Sequence, residues 1–288
     1  MVAIFGPTAS GKSAVARCVA DALGTDVVSA DALQVYRGLP ILTNQPAEPT
    51  HLVAIRSLGE TMSVGEYARL AHDAVDHLVA TRGTAVVTGG TGLYLRAALA
   101  DLKIPPAVDA SARTRIEHVY DGDPADAHAL LSELDPAAAQ AVHLNDRRRV
   151  VRALELAMRG ATLSPGGDRL WSEETRRPTL IVGLELPKEE LERRIAARTD
   201  EMIRSGVVEE VQAALRGPVS QTARKALGLG ELATLPKAEA RRRIVVRTRR
   251  YAAYQRKWMR RIPGIVLVDG SRSAEEVADA VLDVARAR

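Results

Sequence analysis

The sequence is poor in cysteine and in aromatic residues, and it has no long apolar run. There is one cysteine among its 288 residues, Cys18, so neither an internal disulfide nor a thiolate metal cage can form. We expect this thiol to be buried and inert, and the protein to be cytoplasmic. No apolar stretch approaches the ~20 residues that a membrane-spanning helix needs, so we expect no membrane partner. A strand-like pattern begins at residue 2, and we expect no signal peptide.

What is present is the composition of an ordinary globular protein. Hydrophobic residues make up 46% of the chain and charged residues 26%, which is enough for a sizeable core. Because aromatics are only 3%, that core must be built from Ala, Val, Leu and Ile. The formal net charge of +4 is too mild to indicate a nucleic-acid partner, so the distribution of the basic residues matters more.

Strand-like and helix-like segments alternate along the first third of the chain. VAIF, TDVVSA and TAVVTGG have the apolar character of buried strands, and amphipathic segments follow them. Sheet patterns return at TLIVGLEL and GIVLVDG, each followed by a helical pattern. The alternation predicts an α/β fold with a parallel sheet flanked by helices. Residues 109–178 show helical patterns only, which predicts a helical insertion domain between the two parts of the core, 1–108 and 179–288.

The segment FGPTASGKS, residues 5–13, contains the phosphate-loop pattern G-x-x-x-x-G-K-[ST] between a predicted strand and a predicted helix. The backbone N–H groups of such a loop form a concave anion site. Lys12 adds a positive charge, and the hydroxyl of Ser13 can bind Mg²⁺. The residues predicted to bind phosphate are Gly6, Pro7, Thr8, Ala9, Ser10, Gly11, Lys12 and Ser13.

The apolar strand AVVTGG carries no terminal Asp or Glu, which a protein that hydrolyses ATP usually has there. The nearest candidate is Asp31, at the carboxyl end of the second strand, where open α/β sheets place their ligands. It is a candidate metal ligand, general base or solvated turn residue. The GGTG turn, residues 89–92, also joins a strand to a helix. Its glycines have a purely steric explanation as well, but its N–H groups and Thr91 could face the same crevice.

Basic residues gather in two places. The first cluster begins a predicted helix, where cations are disfavoured, so it points either to a polyanion or to a solvated face. It contains Arg147, Arg148, Arg149 and Arg152. The second cluster is a helical stripe in which cations alternate with an aromatic ring, which suits phosphates and unstacked bases, or an exposed helix. It contains Arg243, Arg247, Arg250, Tyr254 and Lys257, and Ile244, Thr248, Tyr251, Gln255 and Trp258 lie beside it.

Eight motifs together resemble those of one family, the tRNA dimethylallyltransferases (isopentenyltransferases), in the family's order along nearly the whole chain. They are GPTASGKS, SADALQVYRG, THL, GGTGLYLRA, DPAAA, ND..R..RALE, ALGLGE and TRRYA..Q..W. The resemblance implies a phosphate-loop core with a helical insertion. It also implies transfer of a dimethylallyl group from dimethylallyl diphosphate to N6 of adenosine 37 in the tRNA anticodon stem-loop. The loop would then hold the donor diphosphate with Mg²⁺, and a monomer is expected.

The resemblance also implies roles for individual residues. Asp31 matches the family's catalytic aspartate, Lys12 and Ser13 would stabilise the leaving diphosphate, and Arg224 matches an arginine near the reaction centre. The positions that match tRNA contacts are Asp31, Ala32, Leu33, Gln34, Thr91, Arg113, Arg148, Arg149, Arg152, Arg224, Gln255 and Trp258.

The chain departs from the family pattern at a few positions. Ala32 stands in place of a serine, Gln45 of a lysine and Leu229 of a tyrosine, and AYQ at residues 253–255 replaces KRQ. These changes affect donor affinity and tRNA contacts more than the type of reaction. Two rival functions share some of the features. A small-molecule kinase would have the same loop, sheet and aspartate, whereas a non-catalytic RNA-binding protein would not need Lys12, Ser13 and Asp31 intact.

Overall fold

The computed structural model describes residues 1–102, 110–163 and 172–287. The chain divides into two compact units. The larger unit consists of Met1–Leu102 together with Leu170–Arg288, and the smaller one of Lys103–Arg169. No helix in the described ranges is long and apolar enough to cross a membrane.

The larger unit is built on a five-stranded parallel sheet, which confirms the predicted fold class. The strands are β1 (Val2–Phe5), β2 (Val27–Ser29), β3 (Val86–Gly89), β4 (Leu180–Glu185) and β5 (Val266–Asp269). Their order across the sheet is β2-β3-β1-β4-β5, with β1 at the centre. In the register, Ile4 of β1 lies between Thr88 of β3 and Val182 of β4.

Helices follow the strands, and side chains cap the N-termini of two of them. The helices of the larger unit are α1 (Lys12–Leu23), α2 (Pro40–Thr43), α3 (Val64–Arg82), α4 (Gly92–Leu99), α9 (Lys188–Arg204), α10 (Val207–Ala214), α11 (Leu229–Thr234), α12 (Lys237–Met259) and α13 (Ala274–Arg286). A short 3₁₀ turn spans Ala223–Lys225. Ser63 caps α3 by accepting a hydrogen bond from the backbone N–H of Glu66, and Ser273 and Glu276 form a capping box at α13.

Both faces of the central strand are buried, as its continuous apolar sequence predicts. Val2 and Ile4 point to one face, where they join a core cluster with residues of α1 and α13. Ala3 and Phe5 alternate with them, so they point to the other face, and both are fully buried. Cys18 packs partly buried against the first cluster, and burial raises the pKa of its thiol. The expectation of a buried thiol is therefore met only in part.

The parallel sheet brings three loops to one edge. The phosphate loop (residues 6–13) follows β1, Asp31 follows β2, and the GGTG turn continues from the end of β3. Since β3 lies between β1 and β2, the carboxyl ends of these strands are neighbours. This edge is where a ligand is expected in an open α/β sheet.

The regular secondary structure in the described part of the smaller unit is entirely helical. It contains α5 (Ala110–Gly122), α6 (Pro124–Leu134), α7 (Pro136–Ala141) and α8 (Arg147–Ala157). Asp123, Asp135 and Asp146 cap the last three helices, each accepting a hydrogen bond from a backbone N–H of the first turn. Its own core includes Leu131, Val150 and Leu154, all at most 1% exposed.

Candidate active site

The phosphate loop has the backbone geometry of an anion cradle. Ala9 and Gly11 adopt left-handed conformations, with φ of 64° and 86°, and α1 begins at the next residue, Lys12. Left-handed residues within such a loop turn successive N–H groups towards one point, and the helix N-terminus adds partial positive charge. The buried hydroxyl of Ser10 has no hydrogen-bond partner in the described parts of the chain. The loop therefore presents unused donors, as an anion site requires.

Two cations stand beside this cradle. Lys12 Nζ lies 3.4 Å from the carbonyl oxygen of Pro7, and burial lowers the pKa of Lys12 to about 8, with nearby Arg198 acting in the same direction and Asp31 opposing it. Arg198 donates from Nη1 to Thr8 Oγ1 at 2.8 Å. Its buried Nε has no partner among the described residues, and burial lowers its pKa as well. Two desolvated cations so close together favour a bound anion.

Arg198 is a site residue that the sequence reasoning missed. It lies in α9, a helix with many charged residues that also contains Arg193, Arg194 and Arg204. Those three arginines form ion pairs with glutamates of the same helix. No local pattern separates Arg198 from them, and only the packing of α9 against the phosphate loop identifies it.

Asp31 is held by its own turn. Its Oδ1 accepts hydrogen bonds from the backbone N–H groups of Leu33 at 2.9 Å and Gln34 at 3.4 Å. Its Oδ2 has no hydrogen-bond partner among the described residues. The carboxylate is near enough to Lys12 and Arg198 to oppose the lowering of their pKa values. Asp31 thus has one oxygen fixed by the backbone and one available to a ligand.

The segment after Asp31 is anchored to its surroundings. Gln34 accepts a hydrogen bond from Ser29 Oγ at 2.8 Å and donates from Nε2 to the carbonyl oxygen of Asn44 at 2.6 Å. Gln45 donates from Nε2 to the carbonyl oxygens of Gln34 and Tyr36, at 3.2 and 2.7 Å. Gln45 therefore helps to hold the backbone that follows Asp31.

The GGTG turn is packed against α12. Thr91 Oγ1 lies 3.5 Å from the backbone nitrogen of Ala32. Gln255 is 3% exposed, accepts a hydrogen bond from the N–H of Thr8 at 2.8 Å, and donates to the carbonyl oxygen of Gly90 at 2.8 Å. Trp258 covers Gly92 so closely that a Cβ there would lie 2.1 Å from the indole ring. Gln255 and Trp258, predicted as tRNA contacts, thus support this turn, and their contact with tRNA stays a prediction.

A single pocket of the larger unit collects most of these groups. One part of its wall is polar or charged, and consists of Thr8, Lys12, Ser13, Asp31, Gln34, Thr43, Asn44, Arg198, Thr199, Thr248, Tyr251 and Gln255. The other part is apolar, and consists of Ala9, Leu33, Leu42, Ile195, Met202, Ala226, Leu227 and Ile244. The pocket therefore suits a ligand with an anionic end and a hydrocarbon end.

Some predicted site residues lie outside this pocket lining. The loop behind the pocket lining is formed by Gly6, Pro7, Ser10 and Gly11. The positions beside Asp31 are Ala32 and Thr91. Arg224 is exposed and donates from Nε to the carbonyl oxygen of Val219 at 3.1 Å. Arg224 does not line the pocket, and its position near the reaction centre stays a prediction.

The arginines of the smaller unit have carboxylate partners. Arg113 and Arg152 flank Glu155, whose side chain is fully buried, at 3.4 and 3.0 Å. Arg147 binds Asp121 with two hydrogen bonds of 2.7 and 2.8 Å, which raises the pKa of Arg147. The argument that arginines at the start of α8 require an external polyanion is therefore weaker than the sequence indicates.

Two arginines of that cluster are more available for contact with an external polyanion. Arg149 lies 3.6 Å from Asp146 and is largely exposed. Arg148 is exposed and has no ion-pair partner within the described ranges. These two are the best candidates in the smaller unit for contact with a phosphate backbone.

The basic residues of α12 share one face of the helix, as their spacing predicts, and that face is exposed. Arg243 and Arg247 pair with Glu239 and Glu231. Arg250 and Lys257 are exposed and have no ion-pair partner in the described part of the chain. Tyr254 lies between them on the same stripe, and 56% of it is exposed.

These features first define a class of protein. A phosphate loop at the centre of a parallel sheet, beside a basic and partly apolar pocket, is typical of a phosphate-loop protein that binds a phosphorylated ligand. A family model described as IPP transferase matches residues 34–262, and one described as isopentenyl transferase matches residues 1–58. The chain belongs to the IPP transferase family, which confirms the resemblance seen in its motifs.

Relatives of known sequence are similar along most of their length. A tRNA dimethylallyltransferase of Anaeromyxobacter dehalogenans (strain 2CP-C) is 39% identical over 292 residues, covering 96% of this chain and 97% of the relative. A protein of the same name from Salinispora arenicola (strain CNS-205) is 38% identical and covers 98% of this chain and 85% of its own length.

Solved structures have the same fold. The full-length tRNA isopentenylpyrophosphate transferase of Bacillus halodurans superimposes with a TM-score of 0.70 at 29% identity, covering 99% of this chain and 95% of its own. A eukaryotic dimethylallyltransferase acting on tRNA gives a TM-score of 0.80 at 22% identity, covering 100% of this chain and 80% of its own. The second likeness concerns the fold alone.

Proposed function

We propose that this protein transfers a dimethylallyl group from dimethylallyl diphosphate to N6 of adenosine 37 in the anticodon loop of tRNA. The observation that carries the proposal is the pocket, in which a phosphate cradle, a carboxylate and an apolar wall lie together. The similarity to relatives named tRNA dimethylallyltransferase, over 97% and 85% of their length, supports it.

The donor diphosphate would lie in the phosphate loop. The loop N–H groups, Lys12 and Arg198 face it with positive charge, and the dimethylallyl group is matched by the apolar wall that includes Leu42, Met202 and Ile244. A kinase that binds ATP through the same loop has no need of such a wall beside Asp31. The apolar wall therefore favours an isoprenoid donor over a nucleotide.

The residues fit a magnesium ion bound largely through the donor. Ser13 Oγ and Asp31 line the same pocket and are hard oxygen ligands, which suit Mg²⁺. No group of three or more His, Cys, Asp or Glu side chains that could hold a metal occurs among the described residues. Mg²⁺ commonly binds through one or two protein ligands and the phosphates of a substrate, and here it would neutralise charge on the diphosphate.

Asp31 would act as the general base. The exocyclic amine of adenine is a poor nucleophile because its lone pair is delocalised into the ring. As the N6–carbon bond forms and the carbon–oxygen bond to diphosphate breaks, the proton of the amine passes to the available Oδ2 of Asp31. Lys12, Arg198 and the loop N–H groups stabilise the negative charge on the leaving diphosphate. The adenosine must leave the stack of the anticodon loop to enter the pocket.

The tRNA would be bound by the exposed basic residues. Arg250, Tyr254 and Lys257 offer charge and a ring face on α12, and Arg148 and Arg149 offer charge on the helical insertion. We therefore assign catalysis to the core, 1–108 and 179–288, and tRNA contacts to the insertion, 109–178, and to α12. We expect the protein to act as a monomer in the cytoplasm, where its substrate occurs.

The test is alkylation of unmodified tRNA. The protein is incubated with tRNA, dimethylallyl diphosphate and Mg²⁺, and digested nucleosides are examined by mass spectrometry. We expect the mass of one dimethylallyl group on adenosine, without ATP, and inhibition by inorganic diphosphate that competes with the donor. Turnover that needs ATP and releases ADP would instead identify a kinase, and tRNA binding without turnover would identify a non-catalytic RNA-binding protein.

A further inference from the structure

The side-chain amide of Gln255 joins two loops that are far apart in the sequence. Its oxygen accepts a hydrogen bond from the N–H of Thr8 in the phosphate loop at 2.8 Å. Its nitrogen donates to the carbonyl oxygen of Gly90 in the GGTG turn at 2.8 Å. The residue is 3% exposed, so water cannot easily replace either bond.

The orientation of this amide is determined by its neighbours. If it were rotated by half a turn, its NH₂ group would face the N–H of Thr8 and its oxygen would face the carbonyl of Gly90. Both contacts would then be repulsive. One orientation is therefore strongly favoured, and in that orientation the amide fixes the separation of the two loops.

Gly90 provides the space that this contact needs. A Cβ at Gly90 would lie 2.3 Å from Nε2 of Gln255 and 3.2 Å from the carbonyl oxygen of Gly6. The two loops thus approach each other directly at this point. The steric need for glycine at position 90 has a specific cause, namely the entry of the Gln255 amide.

The residues that Gln255 contacts lie next to the groups that are expected to react. Thr8, whose N–H binds Gln255, accepts the hydrogen bond from Arg198 through its Oγ1. On the other side, Thr91 follows Gly90 and lies next to the backbone of Ala32, beside Asp31. Gln255 therefore stands between the diphosphate cradle and the segment that carries the base.

The rest of α12 keeps Gln255 in place. Trp258 packs on Gly92, and the pKa of Tyr251 is raised to about 12 by burial and by Asp31, with hydrogen bonds to the side chains of Thr91 and Gln255 acting in the opposite direction. Three successive residues of the GGTG turn are thus contacted by one face of a 23-residue helix. The Gln255 amide is therefore held in position by a long helix that also packs on the GGTG turn.

We propose that Gln255 is a positioning residue, which aligns the donor diphosphate in the phosphate loop with the acceptor adenosine beside Thr91 and Asp31. The inference rests on the proposed function. It assigns Gln255 to the rate of the alkyl transfer and not to the affinity for tRNA. Displacement of reacting groups by about 1 Å can lower a rate by about a hundredfold, so a loss of this alignment should be measurable.

The first variant is Gln255→Met, which has a similar length and can make none of the hydrogen bonds of the amide. Single-turnover alkylation at saturating tRNA and donor should slow by about 10- to 100-fold. The dissociation constants for tRNA and for inorganic diphosphate should be nearly unchanged, because a positioning role uses the amide only for its bonds to the two loops. Val246→Met, which places the same side chain on an exposed position of α12, is the matched control and should behave as wild type.

The second variant, Gln255→Glu, gives a pH profile that a merely structural role would not produce. The ionised carboxylate faces the carbonyl oxygen of Gly90 without a proton, whereas the neutral acid can donate to that oxygen and accept from Thr8. The alkylation rate relative to wild type should therefore rise as the pH falls. Thermal unfolding of each variant is measured alongside, so that a loss of folded protein is recognised.

The results separate the possible roles of Gln255. A slower alkylation step with unchanged tRNA affinity, together with the recovery of Gln255→Glu at low pH, supports positioning. Weakened tRNA binding with a normal rate at saturation would overturn the inference in favour of a direct tRNA contact, and a normal rate with normal binding would overturn it as well. If wild-type protein does not alkylate tRNA, the proposed function fails first, and the inference fails with it.

Discussion

The pKa of Lys12 makes a specific prediction for the binding of diphosphate. In the free protein burial lowers this pKa from its ordinary 10.5 to about 8. A bound diphosphate adds negative charge beside Nζ, so the pKa in the complex is higher than in the free protein. Between these two pKa values, binding takes up one proton. The affinity should therefore be constant below pH 8 and should fall by one order of magnitude for each pH unit above it.

The size of the effect follows from the fraction of Lys12 that is protonated. At pH 9, one unit above a pKa of about 8, only about one free molecule in ten carries the charge, so the affinity should be about tenfold lower than at neutral pH. This corresponds to about 1.4 kcal/mol of binding free energy. An unperturbed lysine would give almost no change over the same interval, because its pKa lies above 10.

Calorimetric titration of inorganic diphosphate between pH 7 and pH 10 measures this effect. The ionisation of the ligand itself also varies with pH, and Lys12→Arg corrects for it because an arginine keeps its charge throughout. The ratio of the two affinities should begin to change near pH 8. Parallel profiles for wild type and Lys12→Arg up to pH 10 would show that Lys12 is not desolvated in this way.

Two further predictions concern charges at the site and on α12. Lys12→Met should stabilise the folded protein at pH 7 by at most about 3 kcal/mol in urea unfolding, because burial of the charged ammonium costs free energy there. The wild type should recover this stability between pH 8 and 10.5, where the folded protein has released the proton and the unfolded chain still holds it. A less stable variant at pH 7 would contradict this. Replacing Arg250 and Lys257 with glutamine should weaken tRNA binding and reduce the slope of log affinity against log salt by about 1.5 to 2, whereas the paired Arg243 and Arg247 should matter less. Equal effects of both pairs would show that ion pairing does not decide which arginines bind tRNA.

Local patterns are sufficient for the sheet and for the centre of the site. The apolar runs predict the five strands: β1 to β4 are buried and need nearly continuous apolar sequence, whereas β5 is apolar but lies at the sheet edge, partly exposed. The glycines and Lys12 of the phosphate loop occupy fixed positions between a strand and a helix. Asp31 is predictable because it follows a buried strand directly. These features depend only on near neighbours in the sequence.

Contacts between segments that are distant in the sequence cannot be predicted from local patterns. Arg198 reaches Thr8 across 190 residues, and Gln255 reaches it across 247. Sequence spacing assigns Gln255 to the boundary of a basic stripe, but it gives no reason for its amide to be buried between two loops. Likewise, Arg147 binds Asp121, 26 residues away, a partner that its local position at a helix N-terminus does not reveal.

At the positions where the sequence departs from the motif pattern, the structure shows the contacts that each residue makes. Gln45, at a position where the motif resemblance leads us to expect a lysine, holds the backbone after Asp31 through two carbonyl oxygens. Leu229 is 3% exposed and begins α11, so it contributes to packing. Ala32 lacks a hydroxyl beside Asp31, and its backbone nitrogen faces Thr91 instead.

The central claim is that Asp31 accepts the proton as the alkyl group is transferred, and Asp31→Asn tests it most directly. Asparagine can still accept the hydrogen bonds that Leu33 and Gln34 give to Asp31, so the turn should be preserved. Asp279→Asn, an exposed position on α13, is the matched control. If Asp31 were mainly a metal ligand, donor binding would weaken, and added Mg²⁺ would restore much of the rate.

The decisive measurement is the single-turnover rate of adenosine alkylation at saturating tRNA, dimethylallyl diphosphate and Mg²⁺. A positioned general base typically contributes about 10²- to 10⁴-fold, so the Asp31→Asn rate should fall by about that factor while tRNA and diphosphate still bind. A rate close to that of wild type under these conditions would contradict the assignment of Asp31 as the base.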